Sequence, residues 1–350
     1  MRVLHLLQPA ACPSPPWNGN DQRADSPCLV VAELLRRGPE ERHRAVVIGG
    51  SEAAADARTL GLECPHLAPP LGVSWLVARE LSKQLHREWD SELVVGWGSQ
   101  YQRVFDATCR ARACAVVDLR TGRLRTRQPR GDWIDGPSLP ARLEIPIPAT
   151  DWKRPPGGPF RVGLCWDGPS PAPTVAYAFT LGALAAGGHE AGAMVRRGIR
   201  DGARLARHSR EGGRIVDLTA FQGPLLPRAG LAEYWIMALP SRGGPIEPPY
   251  TDWSTLVLAD AMAAAGTRVL GVGDGCAWQP ARLRPRVAML AGSRLSDAAT
   301  GLASVFESEP VVPVANRELS ASAILGAALA RLARGESPGE EERTEVSRAG

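Results

Sequence analysis

The chain has 350 residues, 44% of them hydrophobic and 22% charged, with a formal net charge of +4. That length suits two domains of roughly 150–200 residues, each able to bury its own core, and the balance of apolar and charged residues excludes wholesale disorder. So small a charge gives no sign of nucleic-acid or membrane-surface binding, and the basic residues are almost all Arg, with Lys only at Lys83 and Lys153.

Arg2–Leu7 reads as a first strand, its apolar run too short for a signal peptide. A Pro/Gly/Asn loop follows over Pro13–Asn20. Asp21–Arg37 has helical spacing interrupted by Pro27, which puts its true start later. Arg44–Ile48 is a second strand, a short third is expected near Pro65–Leu67, and Val73–Trp89 reads as a helix. Glu92–Val95 is a strand, Gln100–Arg112 a helix and Ala113–Val117 another strand. Strands alternating with helices at this spacing imply parallel pairing through right-handed crossovers, and continuously apolar strands imply a sheet covered on both faces. From Arg120 to Pro159 Arg, Pro and Gly dominate around one apolar run at Leu143–Ile147, and the domain boundary is placed near Pro155–Gly158.

The alternation then restarts. Strands are predicted at Phe160–Trp166, Ala191–Val195, Arg214–Leu218, Tyr234–Leu239, Thr267–Val272 and Arg286–Leu290. Helices are predicted at Thr174–Ala186, Asp201–Arg210, from Pro227, at Trp253–Ala265, Ser296–Val305 and Leu319–Leu332. The same grammar read twice gives two Rossmann-like α/β domains, residues 1–155 and 156–335, with a disordered tail over 336–350 and a ligand crevice between the domains. Seven cysteines without a CxxC pair suggest neither a disulfide framework nor a zinc site. Reduced thiols point to a cytoplasmic protein. No apolar stretch reaches the ~20 residues needed to span a bilayer.

The most informative segment is Tyr234–Gly275. A strand ends in Pro240-Ser241, a Gly/Pro-rich loop follows, and a helix carries Ala259-Asp260-Ala261-Met262 before another strand. This resembles the donor-site region of retaining GT-B glycosyltransferases of the family-4 type, in which an E-x7-E motif leads into an EAMA run. Asp252 and Asp260 form a D-x7-D variant of that motif, two helical turns apart on roughly one face. The resemblance implies that Asp260 binds the ribose of a nucleotide sugar and that Asp252 contacts the transferred sugar. It also implies that the helix N-terminus lies near the diphosphate, and that Ser241 and the turn containing Gly19 lie close to the donor. No metal or other cofactor is implied, and the partners are the nucleotide-sugar donor and an acceptor of unknown identity. The residues also have plainer readings: Asp252 as an N-cap, Asp260 as an exposed helix carboxylate, and Asn18-Gly19 as a tight turn.

The chain departs from the family at three places. The GEGFG-like loop is replaced by a longer, Pro-stiffened one at 243–251. Where histidines usually follow the strand matching Leu93–Val95, this chain has Trp97, which could stack on a sugar or pack between the two domains. Where cations usually meet the diphosphate, Asp167 stands, and Arg196 and Arg197 are the nearby replacements. The first reading is therefore a glycosyltransferase, and the second a catalytically degenerate GT-B-like binding or scaffold protein. A Rossmann oxidoreductase is disfavoured because the glycine fingerprint is missing.

Overall fold

The computed structural model describes residues 2–7, 25–37, 43–48, 51–67, 88–119, 121–144, 160–166, 191–196, 218–221, 226, 232–238, 253–264, 268–272, 287–290 and 320–336. They fall into two compact units, one made of residues 1–145 and 319–350 and the other of residues 146–318.

The first unit is built on a seven-stranded sheet of order β3-β2-β1-β4-β5-β6-β7. Its strands are β1 (Val3–Leu7), β2 (His43–Ile48), β3 (His66–Leu67), β4 (Leu93–Trp97), β5 (Ala113–Val117), β6 (Arg123–Arg127) and β7 (Trp133–Ser138). The first five pair in parallel. Their interior strands are apolar but for His5: all five residues of β1 and all five of β4 are buried, as a sheet covered on both faces requires.

Helix α1 (Asp25–Arg37) holds Pro27 in its first turn, where a missing N–H costs nothing, and it ends on Arg36 and Arg37, favourable at a helix C-terminus. Helix α2 (Ser51–Thr59) follows β2. Helix α3 (Gln100–Thr108) is shorter than the predicted 100–112 and closes where the Cys109 amide bonds to the Phe105 carbonyl. It lays Tyr101, Val104 and Phe105 on Leu4, Leu6, Val46, Val94 and Val116, the main apolar cluster of this unit. The approach is close enough that a Cβ at Gly96 would strike Tyr101 and come within 3.0 Å of Phe105.

Two features of this unit differ from expectation. The Arg-rich stretch after residue 120 forms the antiparallel hairpin β6–β7, so the sheet is mixed rather than parallel. The sequence Arg-Leu-Arg-Thr-Arg alternates, with Leu124 and Thr126 buried against the sheet's interior. Arg127 is buried too, because Asp106 at 2.6 Å and the Phe105 carbonyl at 2.9 Å receive its guanidinium and the Trp133 ring stacks beneath it. The second difference concerns helix α5 (Ala321–Ala333), predicted to end the second domain. It packs on α1, with Gly326 letting the Leu34 side chain approach to 3.4 Å of where a Cβ would stand, and it belongs to the first unit. The boundary therefore falls at Ile145/Pro146 and again at Glu318/Leu319, not near Pro155–Gly158.

The second unit carries a six-stranded sheet of order β10-β9-β8-β11-β12-β13, parallel at every pairing. Its strands are β8 (Phe160–Trp166), β9 (Ala191–Arg196), β10 (Leu218–Phe221), β11 (Ala232–Ala238), β12 (Arg268–Val272) and β13 (Val287–Leu290). β10 lies later than the predicted 214–218. β11 begins at Ala232, inside the stretch read as the start of a helix. Helix α4 (Trp253–Ala264) lies between β11 and β12 in the chain and contacts β12 and β13. In order of appearance, both sheets share the parallel order 3-2-1-4-5 of Rossmann-like α/β domains; the second adds a sixth parallel strand and the first adds the antiparallel hairpin β6–β7. The helices predicted at 73–89, 174–186, 201–210 and 296–305 and the tail at 337–350 lie largely or wholly outside the described residues.

Candidate functional site

In doubly wound sheets ligands bind beyond the carboxyl ends of the strands where the order reverses. Those places are the β1–β4 seam of the first unit and the β8–β11 seam of the second. Of the residues singled out in the sequence, Arg196 is the last residue of β9, opposite Phe221 of β10 and hence at the carboxyl edge one strand from β8. Asp252 immediately precedes α4, and Ser241 follows the carboxyl end of β11. Asp252, Ser241, Arg197 and Gly19 lie outside the described residues.

Asp260 is described, and its setting is unusual for a helix carboxylate. Helix α4 is apolar on nearly every side: Trp253, Val257, Leu258, Ala259, Ala261 and Met262 are buried, as is Ser254. Asp260 is fully buried among them and engaged in an interaction of its own. An isolated buried carboxylate is costly, so one found inside is held by partners. The plain reading of Asp260 as an ordinary solvent-exposed helix residue is thereby corrected.

A row of bonded side chains crosses one face of the first unit's sheet. Trp97 is 1% exposed and donates from Nε1 to Nδ1 of His5 at 3.3 Å; His5 Nε2 lies 3.1 Å from His43 Nδ1, and the two imidazoles stack. Register explains the row. His5 pairs with Val95 of β4 and with Ala45 of β2, so Trp97 and His43, each two residues along, lie on the same sheet face as His5. That face is opposite the one carrying Leu4 and Leu6.

The contacts assign the proton. His5 Nδ1 accepts from Trp97, so its hydrogen sits on Nε2 and is given to His43. Burial, and then the neighbouring His43, hold the His5 pKa well below the usual histidine value, keeping the ring neutral as this pattern needs. The sugar-stacking role expected of Trp97 is therefore corrected: its ring is sealed in the interior. His5, which the sequence marks only as an isolated histidine, and His43 are the partners that seal it. Only the register of β1 against β2 and β4 brings them together.

Glu33 was also missed. It is a buried carboxylate in α1 that accepts a hydrogen bond from the Glu144 backbone amide at 2.8 Å and another from the Ser322 hydroxyl. Among the described residues no cluster of three or more His, Cys, Asp or Glu is arranged to hold a metal ion, and no helix is long and apolar enough to cross a membrane.

No protein-family model matches the chain, and no curated protein matches its sequence. Solved structures do resemble it. The UDP-GlcNAc 2-epimerase of Methanocaldococcus jannaschii, in complex with UDP-GlcNAc and UDP, aligns with a TM-score of 0.53 at 9% identity, over 94% of this chain and 99% of that one. The ADP-heptose LPS heptosyltransferase II of E. coli aligns at 0.48 and 11% identity, over 88% and 99%. AviGT4, a glycosyltransferase involved in avilamycin A biosynthesis, aligns at 0.47 and 16% identity, over 87% and 88%. At these identities the likeness is one of fold: the chain is a Rossmann-like α/β protein, as its two sheet orders show.

Proposed function

We propose that the chain is a nucleotide-sugar-dependent glycosyltransferase, retaining and metal-independent, with its donor held at the carboxyl edge of the second sheet. The observation that carries this reading is the parallel second sheet, whose helix between β11 and β12 holds Asp260 in the D-x7-D and Pro-Ser context of the family-4 pattern. In this reading the ribose hydroxyls donate to Asp260, which they meet by displacing what covers this carboxylate in the structure. Asp252 orients the transferred sugar, and Ser241 lies beside the donor on the loop after β11. The N-terminus of α4 and the cations Arg196 and Arg197 stabilise the departing diphosphate, a role that fixed donors perform without a metal. The turn at Gly19 would approach the donor phosphates. The anomeric carbon exchanges its bond to the diphosphate oxygen for one to the acceptor oxygen, and the acceptor's proton leaves with the diphosphate.

The test is a thermal-shift screen against UDP-, GDP- and ADP-sugars, UDP-GlcNAc included, followed by assay of nucleoside diphosphate release. A ligand at 100 times its Kd adds about 2.7 kcal/mol of stability. Asp260→Asn, close in shape, should abolish that shift while leaving the circular dichroism spectrum unchanged. An undiminished shift in this variant would remove Asp260 from the site. The second reading, a binding protein without transfer activity, is favoured by the sealed Trp97 where the family carries histidine. Its signature is a donor-dependent shift with no release of diphosphate.

A further inference from the structure

The chain passes between its two units twice, at Ile145/Pro146 and at Glu318/Leu319. On the first unit, the ends of both crossings converge on one side chain. Glu33 is 2% exposed at its place in α1. One carboxylate oxygen accepts the backbone N–H of Glu144, the last described residue before the outgoing crossing, at 2.8 Å. The other accepts the hydroxyl of Ser322, in the first turn of α5 just after the returning crossing. Arg37, one turn along α1, reaches Glu33 at 3.6 Å and also pairs with the Glu144 side chain.

The surrounding groups tie the same points together. Ser320 caps α5 by accepting the Ala323 amide at 3.3 Å, and its hydroxyl lies 3.1 Å from that of Ser322. The Ala321 amide bonds to the Arg142 carbonyl at 2.9 Å, joining the two crossings directly.

We propose that Glu33 is a clasp that anchors both crossings to the first unit, so that the outgoing segment at Glu144 and the returning helix α5 are held and released together. The physical basis is that a buried carboxylate must keep its donors. Hydrogen bonds to a charged group are stronger than neutral ones, and removal of one donor leaves the buried charge poorly satisfied, which favours opening of the contact to water and exposes the second donor with it. Two segments 178 positions apart in the chain, Glu144 and Ser322, are thereby made one cooperative element.

The proposal is tested by amide hydrogen exchange on the full chain. Ser322→Ala removes only the α5 donor. The clasp predicts that exchange rises on the order of tenfold at the Glu144 amide as well as through the first turn of α5, while β1, β4 and β5 keep their protection. Glu33→Gln, which keeps the shape but presents an amide N–H to one donor, should raise exchange at both places by a similar factor. If Ser322→Ala loosens α5 and leaves Glu144 at the wild-type rate, the two segments are held independently and the clasp is overturned. The same conclusion follows if Glu33→Gln moves only one of them. A Glu33→Ala variant that fails to fold leaves both of these measurements standing.

Discussion

The β1–β4 seam of the first unit and the β8–β11 seam of the second occupy the same topological position, and the chain treats them differently. At the first, three side chains on adjacent strands, His43, His5 and Trp97, bond to one another across one face of the sheet. No strand of the second sheet contains a histidine, and its neighbouring helix α4 instead carries the buried Asp260. Strand order marks both seams as possible binding places. What distinguishes them is the side chains each carries, a bonded His-His-Trp row on the first sheet and a buried carboxylate on the helix beside the second.

The comparison breaks if the two units do not respond separately. The largest expected effect is that of Phe105→Ala. Phe105 is fully buried between α3 and the sheet, so its truncation should cost the first unit about 4 kcal/mol. Urea unfolding followed by hydrogen exchange should show β1, β4 and β5 losing protection at lower denaturant while β8, β9 and β11 keep theirs. Simultaneous loss in both sheets would show that they fold as one.

A smaller effect sharpens the contrast in chemistry. His5 has a folded-state pKa lowered by burial, so below the unfolded value of about 6.5 the unfolded chain binds a proton that the folded one refuses. The first unit should therefore hold its full stability above that pH and lose up to about 1.4 kcal/mol per pH unit below it, until the folded value is reached. His5→Gln should lower stability at pH 7.5, yet flatten the decline between pH 6.5 and 5. Trp97 fluorescence reads the same transition. An unaltered pH slope in the variant would mean that His5 is not the titrating group.

The smallest effect is expected at Arg334 and Glu336, a fully exposed pair at 2.6 Å beyond the end of α5. Screening and side-chain entropy cancel most of such a contact. Glu336→Gln should leave the unfolding midpoint of either unit where it was, and a measurable shift would show that the end of α5 contributes more to the first unit than its exposure implies.

Much of this architecture can be read in the residues, and the reasons differ by element. β1, β4, β5 and β8 are short, mainly apolar runs between turn signals, and the local pattern suffices for them. The β6–β7 hairpin hides because its outward positions are Arg and its last Arg is buried by Trp133 across the hairpin and by Asp106 on α3. Composition there suggests a linker, whereas the period-2 alternation is the truer signal. The docking of α5 has no local signature at all, since Ser322 and Glu33 stand 289 residues apart. The Trp97 setting fails for a similar reason: a Trp at a strand end reads equally as a stacking platform or a packed aromatic until register supplies His5. Asp260 shows the converse, its chemical type and helix position being visible in sequence and its complete burial not.

The return of the last helix makes the two units unequal as pieces of chain. The second is a single uninterrupted span, nested within the first, so it could be cut out or exchanged as a cassette. A fragment stopped at Ile145 would instead bare the surface of α1 that α5 covers and strand the Glu33 carboxylate without its serine. Because the Arg142 carbonyl and Ala321 amide already touch at 2.9 Å, a few small residues in place of 146–318 would suffice to splice the first unit into one free-standing protein.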